Sequence, residues 1–320
     1  GEVVFPDGIT EQNTPPFGAG LGLPTEDIIP ELQWAGARAH NRWLAEFCSK
    51  TPERHVGVAL CPLLWDVAEA IAELHRAAEQ GLRAVLIPHM TNEFPAYHHV
   101  RYHPFWEACE ALNIVVAFHS GAAPSKQFFG DDFPEGDGRE YPGAMGIYVS
   151  EVMWWTYRPL TFMIWGGVFE KFPKLRVSVT ETGTSWAIPT YLRLLDHHYT
   201  DTVYSMKLGD FRSHLSLSPS EYFARNIALG ASCMPRADAE ARQQIGVDRL
   251  MWGSDYPHPE GTWPNTASQL TATFSDLPED DIAAILGENA IRLYGFDRAA
   301  LASISERIGP EKSAFNTSTE

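Results

Sequence analysis

Three things are scarce in this chain, and each scarcity removes a class of function. Positive charge is the first: 24 Lys and Arg stand against 41 Asp and Glu, a formal net charge of −17. A protein that follows a phosphate backbone needs a basic stripe, and the densest basic stretch here is the fragment from Lys171 to Arg176. This argues against nucleic acid as a partner, and the same acidity argues against docking on anionic membranes. Cysteine is the second. Cys48, Cys61, Cys109 and Cys233 are the only four, with no C-x-x-C pair, so they read as small buried thiols in a reducing cytoplasm. Long apolar runs are the third. The best candidates, 162–169 and 114–118, fall well short of the ~20 residues that span a bilayer. They read as core.

What is present alternates. Short apolar runs with strand character lie at 3–5, 57–61, 84–88, 114–119, 176–180, 227–229 and 249–252. Helical stretches are expected at 31–49, 67–80, 104–112, 161–172, 185–199, 237–245 and 278–294. In the first of these, Leu32, Ala35, Ala39, Trp43 and Phe47 form one apolar stripe at 3–4 spacing. Strand–helix alternation predicts an α/β fold with a parallel sheet and crossover helices. An open dinucleotide-binding sheet would carry a G-x-G-x-x-G turn after an early strand. Here "ALCPLL" and "VLIPHM" end their strands on proline instead. A (β/α)8 barrel needs eight strands. Seven are counted, and "GEVVFP" opens directly as a strand, so a first strand is expected upstream of Gly1. The expected organisation is one barrel over 1–307 and a polar tail over 308–320. The long loops 120–146 and 199–218 are expected at the active-site mouth.

In such a barrel the chemistry gathers where strands end at their C-terminal side. Reading those positions gives His89 after "VLIP", His119 in "IVVAFHSG", Glu181 in "VSVTETG", and Asp255 with His258 in "MWGSDYPHPEG". Imidazole with carboxylate suits zinc, and manganese after it. Each residue also has a plainer use. His89 could be a hydrogen-bonded histidine at the core edge, Asp255 a turn cap, and Glu181 a carboxylate bonded to backbone amides. Trp186, Tyr256 and Trp263 could wall an apolar pocket, although core packing is the commoner use of such rings.

"GSDYPHPEGTWPN", "FHSG", "GGVFEKFPKLRVSVTETGTSW" and "GENAIRLYGF" together resemble the amidohydrolase-related group of the amidohydrolase superfamily, along roughly 1–296. Its best-known branch holds aminocarboxymuconate-semialdehyde decarboxylase and the resorcylate-type decarboxylases. The resemblance implies a (β/α)8 barrel with one divalent metal, Zn2+ first and Mn2+ second. In that family the metal is held by an H-x-H or E-x-H pair on strand one, a histidine on strand five and an aspartate on strand eight. By motif position His119 and Asp255 are the last two of these.

The chain departs from the pattern twice. It contains no H-x-H, only the adjacent pairs His98-His99 and His197-His198, so that pair is expected on the absent strand. It also has Glu181 where the decarboxylases place a histidine. Pro88-His89 stands where binuclear relatives have a lysine, which favours one metal.

The expected function is non-oxidative decarboxylation of a small carboxylated or aromatic compound. Asp255 and Glu181 would be the catalytic residues, and His89, Trp186, Tyr256, His258 and Trp263 the pocket candidates. Hydrolysis of an ester, lactone, amide or C–C bond is the second expectation. A non-catalytic or truncated barrel binding a ligand or partner is the third. A small-molecule substrate, a cytoplasmic location and a homodimer complete the expectation.

Overall fold

Seven apolar, β-branched stretches form strands: β1 (Glu2–Val4), β2 (His55–Leu60), β3 (Ala84–Leu86), β4 (Val115–His119), β5 (Arg176–Thr180), β6 (Ile227–Ser232) and β7 (Leu250–Gly253). Each coincides with a run expected from the sequence. The strands hydrogen-bond in chain order. The pairs β2–β3, β3–β4 and β6–β7 are parallel, aligning Val58 with Ala84, Ala84 with Val115, and Leu229 with Leu250. Parallel neighbours in chain order with helices between them are the pattern of the (β/α)8 class, seven of whose strands are present. The computed structural model describes residues 1–6, 30–91, 93–120 and 142–309, apart from the side chains of 144, 145, 148, 149, 152, 153 and 202. The expected loop 120–146 and tail 308–320 lie largely outside the described residues. No described helix is long and apolar enough to cross a membrane.

The chain divides into two compact units. One comprises Val3–Lys50 and Gly57–Val179; the other comprises Gly1–Glu2, Thr51–Val56 and Thr180–Glu320. In the first unit Val58, Val85, Val116 and Phe118 are fully buried, as strands covered on both faces must be. The helix Pro30–Ser49 packs here with the face opposite to the one expected. Trp34, Ala37, Asn41, Leu44, Ala45 and Cys48 are buried, while Leu32, Trp43 and Phe47 are exposed. Asn41 explains the choice of face. Its Nδ2 donates to the carbonyl of Leu60 at 2.9 Å and to Glu73 at 2.8 Å, and its Oδ1 accepts from the Leu60 N–H at 2.7 Å. A polar residue in the inward stripe thus ties the helix to the end of β2.

An aromatic cluster holds the loop after β3. The Tyr97 ring lies 5.2 Å from Tyr102, 5.7 Å from Trp106 and 5.8 Å from Phe118. The Tyr97 hydroxyl donates to the carbonyl of Pro88, the residue before His89. The expected helix 161–172 proves to be the end of a longer one, Ala144–Trp165, followed by a short Val168–Lys171.

In the second unit Leu229, Leu250, Phe274 and Ile285 form the buried centre. Asn289 Nδ2 donates to the carbonyls of Val247 and Leu250, each at 2.7 Å. Within the expected stretch 278–294, residues 279–294 are helical, with a π-helical turn at Ala284–Glu288. Four described α-helices were not expected from the sequence: Pro219–Asn226, Thr266–Phe274 and two more. Thr202–Leu208 lies inside the expected loop 199–218, and Arg298–Ile308 follows Phe296. Asp201 and Asp297 cap them through the N–H groups of Val203 and of Ala299 and Ala300.

The buried role of Asn41 is directly testable. Asn41→Ala strands the Leu60 N–H and carbonyl in the core and should cost about 2–4 kcal/mol in urea unfolding. Leu32→Ala, on the exposed stripe, should stay within about 0.5 kcal/mol of wild type. Equal losses in the two variants would contradict this packing.

Candidate active site at the strand ends

His119 is the last residue of β4. Its Nδ1 is 2.8 Å from the carbonyl oxygen of Ser120. A carbonyl only accepts, so Nδ1 carries a proton, and in the neutral ring the lone pair falls on Nε2. That is the tautomer of a metal-ligating histidine held by a backbone carbonyl. The Phe5 ring packs at 5.7 Å against the imidazole. His89 is buried and bonds through Nε2 to the backbone carbonyl of His119. By the same logic its Nδ1 is an acceptor, and it has no hydrogen-bond partner among the described residues. Burial drives the His89 pKa down to about 4, against the raising effect of that hydrogen bond; the nearby His119 adds to the lowering. His89 is therefore a neutral strut beneath a strand end, in the same unit as His119.

The second unit presents three strand exits with one shared feature. Glu181 follows β5, Cys233 follows β6, and Asp255 lies two residues past β7. All three have left-handed backbones, with φ of 59°, 50° and 57°. Such conformations are uncommon outside glycine and cost on the order of 1–3 kcal/mol each, so the surrounding structure must impose them. The Thr182 N–H donates to Gly230 at 3.1 Å, and the Cys233 N–H to Gly253 at 3.0 Å. Beyond Asp255, the His258 N–H donates to the Asp255 carbonyl at 2.8 Å and the Thr262 N–H to Ser254 at 2.9 Å. The glycine this turn requires is Gly261. A Cβ there would stand 2.6 Å from the Asp255 carbonyl oxygen, whereas one at Gly253 would meet nothing closer than 3.7 Å.

The charges at these exits feel one another. His258 Nδ1 pairs with Glu260. Burial lowers the His258 pKa, but Glu260, Asp255 and Glu181 outweigh it and the net shift is upward. The Cys233 thiol is raised by burial first and then by Asp255, Glu260 and Glu181. It stays a protonated thiol, whose Sγ donates to the Glu260 carbonyl at 3.4 Å.

The sequence reading passed over Cys233 and Glu260. The signal for Cys233 was available, but β6 was ended at Leu229. Gly230, Ala231 and Ser232, weak strand formers, in fact continue the strand and leave Cys233 at its end.

Tyr256 and Trp263 come together edge to face at 6.0 Å, and both are exposed, as is Trp186. The three rings are not core. Among the described residues no group of three or more His, Cys, Asp or Glu side chains is gathered as a metal cluster. The donor chemistry still suits a divalent ion, because His119 is in the ligand tautomer.

The neutrality of His89 sets a pH dependence. In the unfolded chain it takes a proton near pH 6.5, but in the fold only near 4. Its contribution is complete above pH 6.5 and is lost as pH falls toward 4, on the order of 3 kcal/mol in all. In His89→Gln, urea unfolding at pH 7 and pH 4.5 should show a smaller loss than wild type. An identical loss in both proteins would contradict a neutral buried His89.

Comparison with known proteins fits this fold. The gamma-resorcylate decarboxylase of Rhizobium sp. (strain MTP-10005) is 25% identical over 294 residues, 87% of this chain and 82% of that protein. The solved structure of 5-carboxyvanillate decarboxylase from Sphingomonas paucimobilis is 28% identical with a TM-score of 0.67, covering 82% of this chain and 72% of that one. A dihydroxybenzoic acid decarboxylase from Polaromonas sp. JS666, solved with bound manganese and the inhibitor 2-nitroresorcinol, shares the fold at 22% identity and a TM-score of 0.66, covering 84% and 77%. The amidohydrolase family profile matches residues 30–296, and the chain belongs to that family.

Proposed function

We propose that this chain is a metal-dependent non-oxidative decarboxylase of a small aromatic carboxylate. The observation that carries this reading is the match along 87% of the chain to a resorcylate decarboxylase. Residues 1–307 would form a single barrel, with His119 and Asp255 in the ligand set of one divalent ion. Manganese stands at least level with zinc, because a decarboxylase of the same fold holds it. A divalent ion held there would supply a Lewis acid for a substrate oxygen.

The reaction exchanges carbon dioxide for a proton at one ring carbon. The electrons of the breaking C–C bond stay on that carbon, so a group of this chain must deliver the proton. Asp255 and Glu181, held at the exits of β7 and β5, are the carboxyl groups proposed for this task. Tyr256, Trp263 and Trp186 offer exposed aromatic faces for a substrate ring. His258, whose pKa is raised, offers positive charge to the substrate carboxylate. His89 contributes by holding the His119 carbonyl. The four cysteines are free, which supports work in the reducing cytoplasm. A homodimer would cover the exposed Leu32, Trp43 and Phe47.

The test is turnover of 2,6-dihydroxybenzoate with Mn2+ or Zn2+ added, followed by carbon dioxide release. Asp255→Asn should keep its melting temperature and lose activity. Glu181→Gln should lose on the order of 10²–10⁴ in kcat with metal still bound. Full turnover by Asp255→Asn with metal present would overturn the proposal.

A further inference from the structure

The segment that leaves β5 carries Glu181 and Trp186 and then becomes helical at once, as a turn over Ser185–Ala187 running into the helix Ile188–Thr200. The first N–H groups of such a run have no partner within their own helix. The residue placed to cap them is Thr184, and its side chain makes no capping hydrogen bond. The acceptor comes instead from another helix. Asp238 lies in the first turn of Arg236–Ile245 and is fully buried. Its Oδ1 accepts from the Trp186 N–H at 2.7 Å. Ser185, beside it, also helps to hold the Asp238 carboxyl's pKa down, and Oδ2 has no hydrogen-bond partner among the described residues.

We infer that Asp238 is the positioning residue of the β5 exit, capping the helix that follows from across the fold and so setting where Trp186 and Glu181 stand. The segment is then pinned at two points. The Thr182 N–H is bonded to Gly230 at 3.1 Å, and Thr182 Oγ1 meets Ser185 Oγ at 2.8 Å. The Trp186 N–H is bonded to Asp238. Glu181, with its left-handed backbone, is the residue just before the first pin. Holding a carboxylate in this place has a cost: burial pushes the Asp238 carboxyl up to about 6, despite the opposing influence of Trp186 and Ser185. A buried residue kept at that cost serves through what it orients. Its consequence for turnover rests on the decarboxylase reading; its consequence for Trp186 does not.

The test uses full-length enzyme labelled with 5-fluorotryptophan. The chain has 10 tryptophans, and the Trp186 resonance is assigned by its loss in Trp186→Phe. Asp238→Ala, which removes the acceptor, should shift or broaden that resonance alone. With bound manganese unchanged, its kcat on 2,6-dihydroxybenzoate should fall on the order of 10- to 100-fold. Asp238→Asn, which keeps Oδ1, should restore both the resonance and kcat. An unmoved resonance in Asp238→Ala would overturn the inference. So would an Asp238→Asn variant as impaired as Asp238→Ala with Trp186 in place, since the charge itself would then be acting. If Asp238→Ala does not fold, Asp238→Leu takes its place; it removes the acceptor for the Trp186 N–H while filling the space and should move the same resonance, and no movement would again overturn the inference. If wild type turns over no aromatic carboxylate, the decarboxylase reading fails and the resonance alone decides the role of Asp238.

Discussion

The candidate site depends on a parallel ladder that does not stop where the strands do. Past β2 the Cys61 N–H donates to Leu86, and past β3 the Ile87 N–H donates to Ala117. Past β5 the Thr182 N–H donates to Gly230, and past β6 the Cys233 N–H donates to Gly253. Each bond carries the exit of one strand over onto its neighbour. A chain fixed in this way can hold a non-glycine residue in a left-handed conformation that it would otherwise abandon. Glu181, Cys233 and Asp255 share that conformation. Their side chains are aimed by the ladder, and the loops that follow need only be tied down.

The ties differ from exit to exit, and their chemistry is informative. After β7 the turn closes on itself around Gly261, where carbonyls crowd the space a side chain would fill. After β5 the tie comes from Asp238, on a different helix. After β3 it is aromatic, with Tyr97, Tyr102 and Trp106 packed together and Tyr97 bonded to Pro88. The buried His89 then carries that rigidity to the His119 carbonyl. Apolar packing, a buried charge and backbone crowding thus perform one task by three means.

The seven strands were legible in the sequence because β-branched apolar runs have few other uses. His119, Glu181 and Asp255 were legible because strand ends are where an α/β fold places its chemistry. The face of the first helix was not. The exposed stripe of Leu32, Trp43 and Phe47 and the buried one of Trp34, Ala37, Leu44 and Cys48 both repeat at helical spacing. The aromatic weight lay on the wrong stripe, and Asn41 made the right one look polar. Only its three hydrogen bonds to Leu60 and Glu73 reveal why it is inside. Asp238 was hidden for a related reason. In sequence it is one more acidic residue in a first helical turn, and its partner Trp186 lies 52 residues earlier. Cys233 was lost to weak strand propensity at the end of β6.

Central to the proposed function is that two strand-end residues far apart in sequence, His119 and Asp255, would serve one ion. Titration with Mn2+, followed by the paramagnetic resonance signal of the free ion, tests this without any substrate. Wild type should take up one manganese per chain, and His119→Ala and Asp255→Ala should each weaken that uptake sharply while leaving the melting temperature of the metal-free protein near wild type. Uptake of one manganese with unchanged affinity in both variants would contradict it.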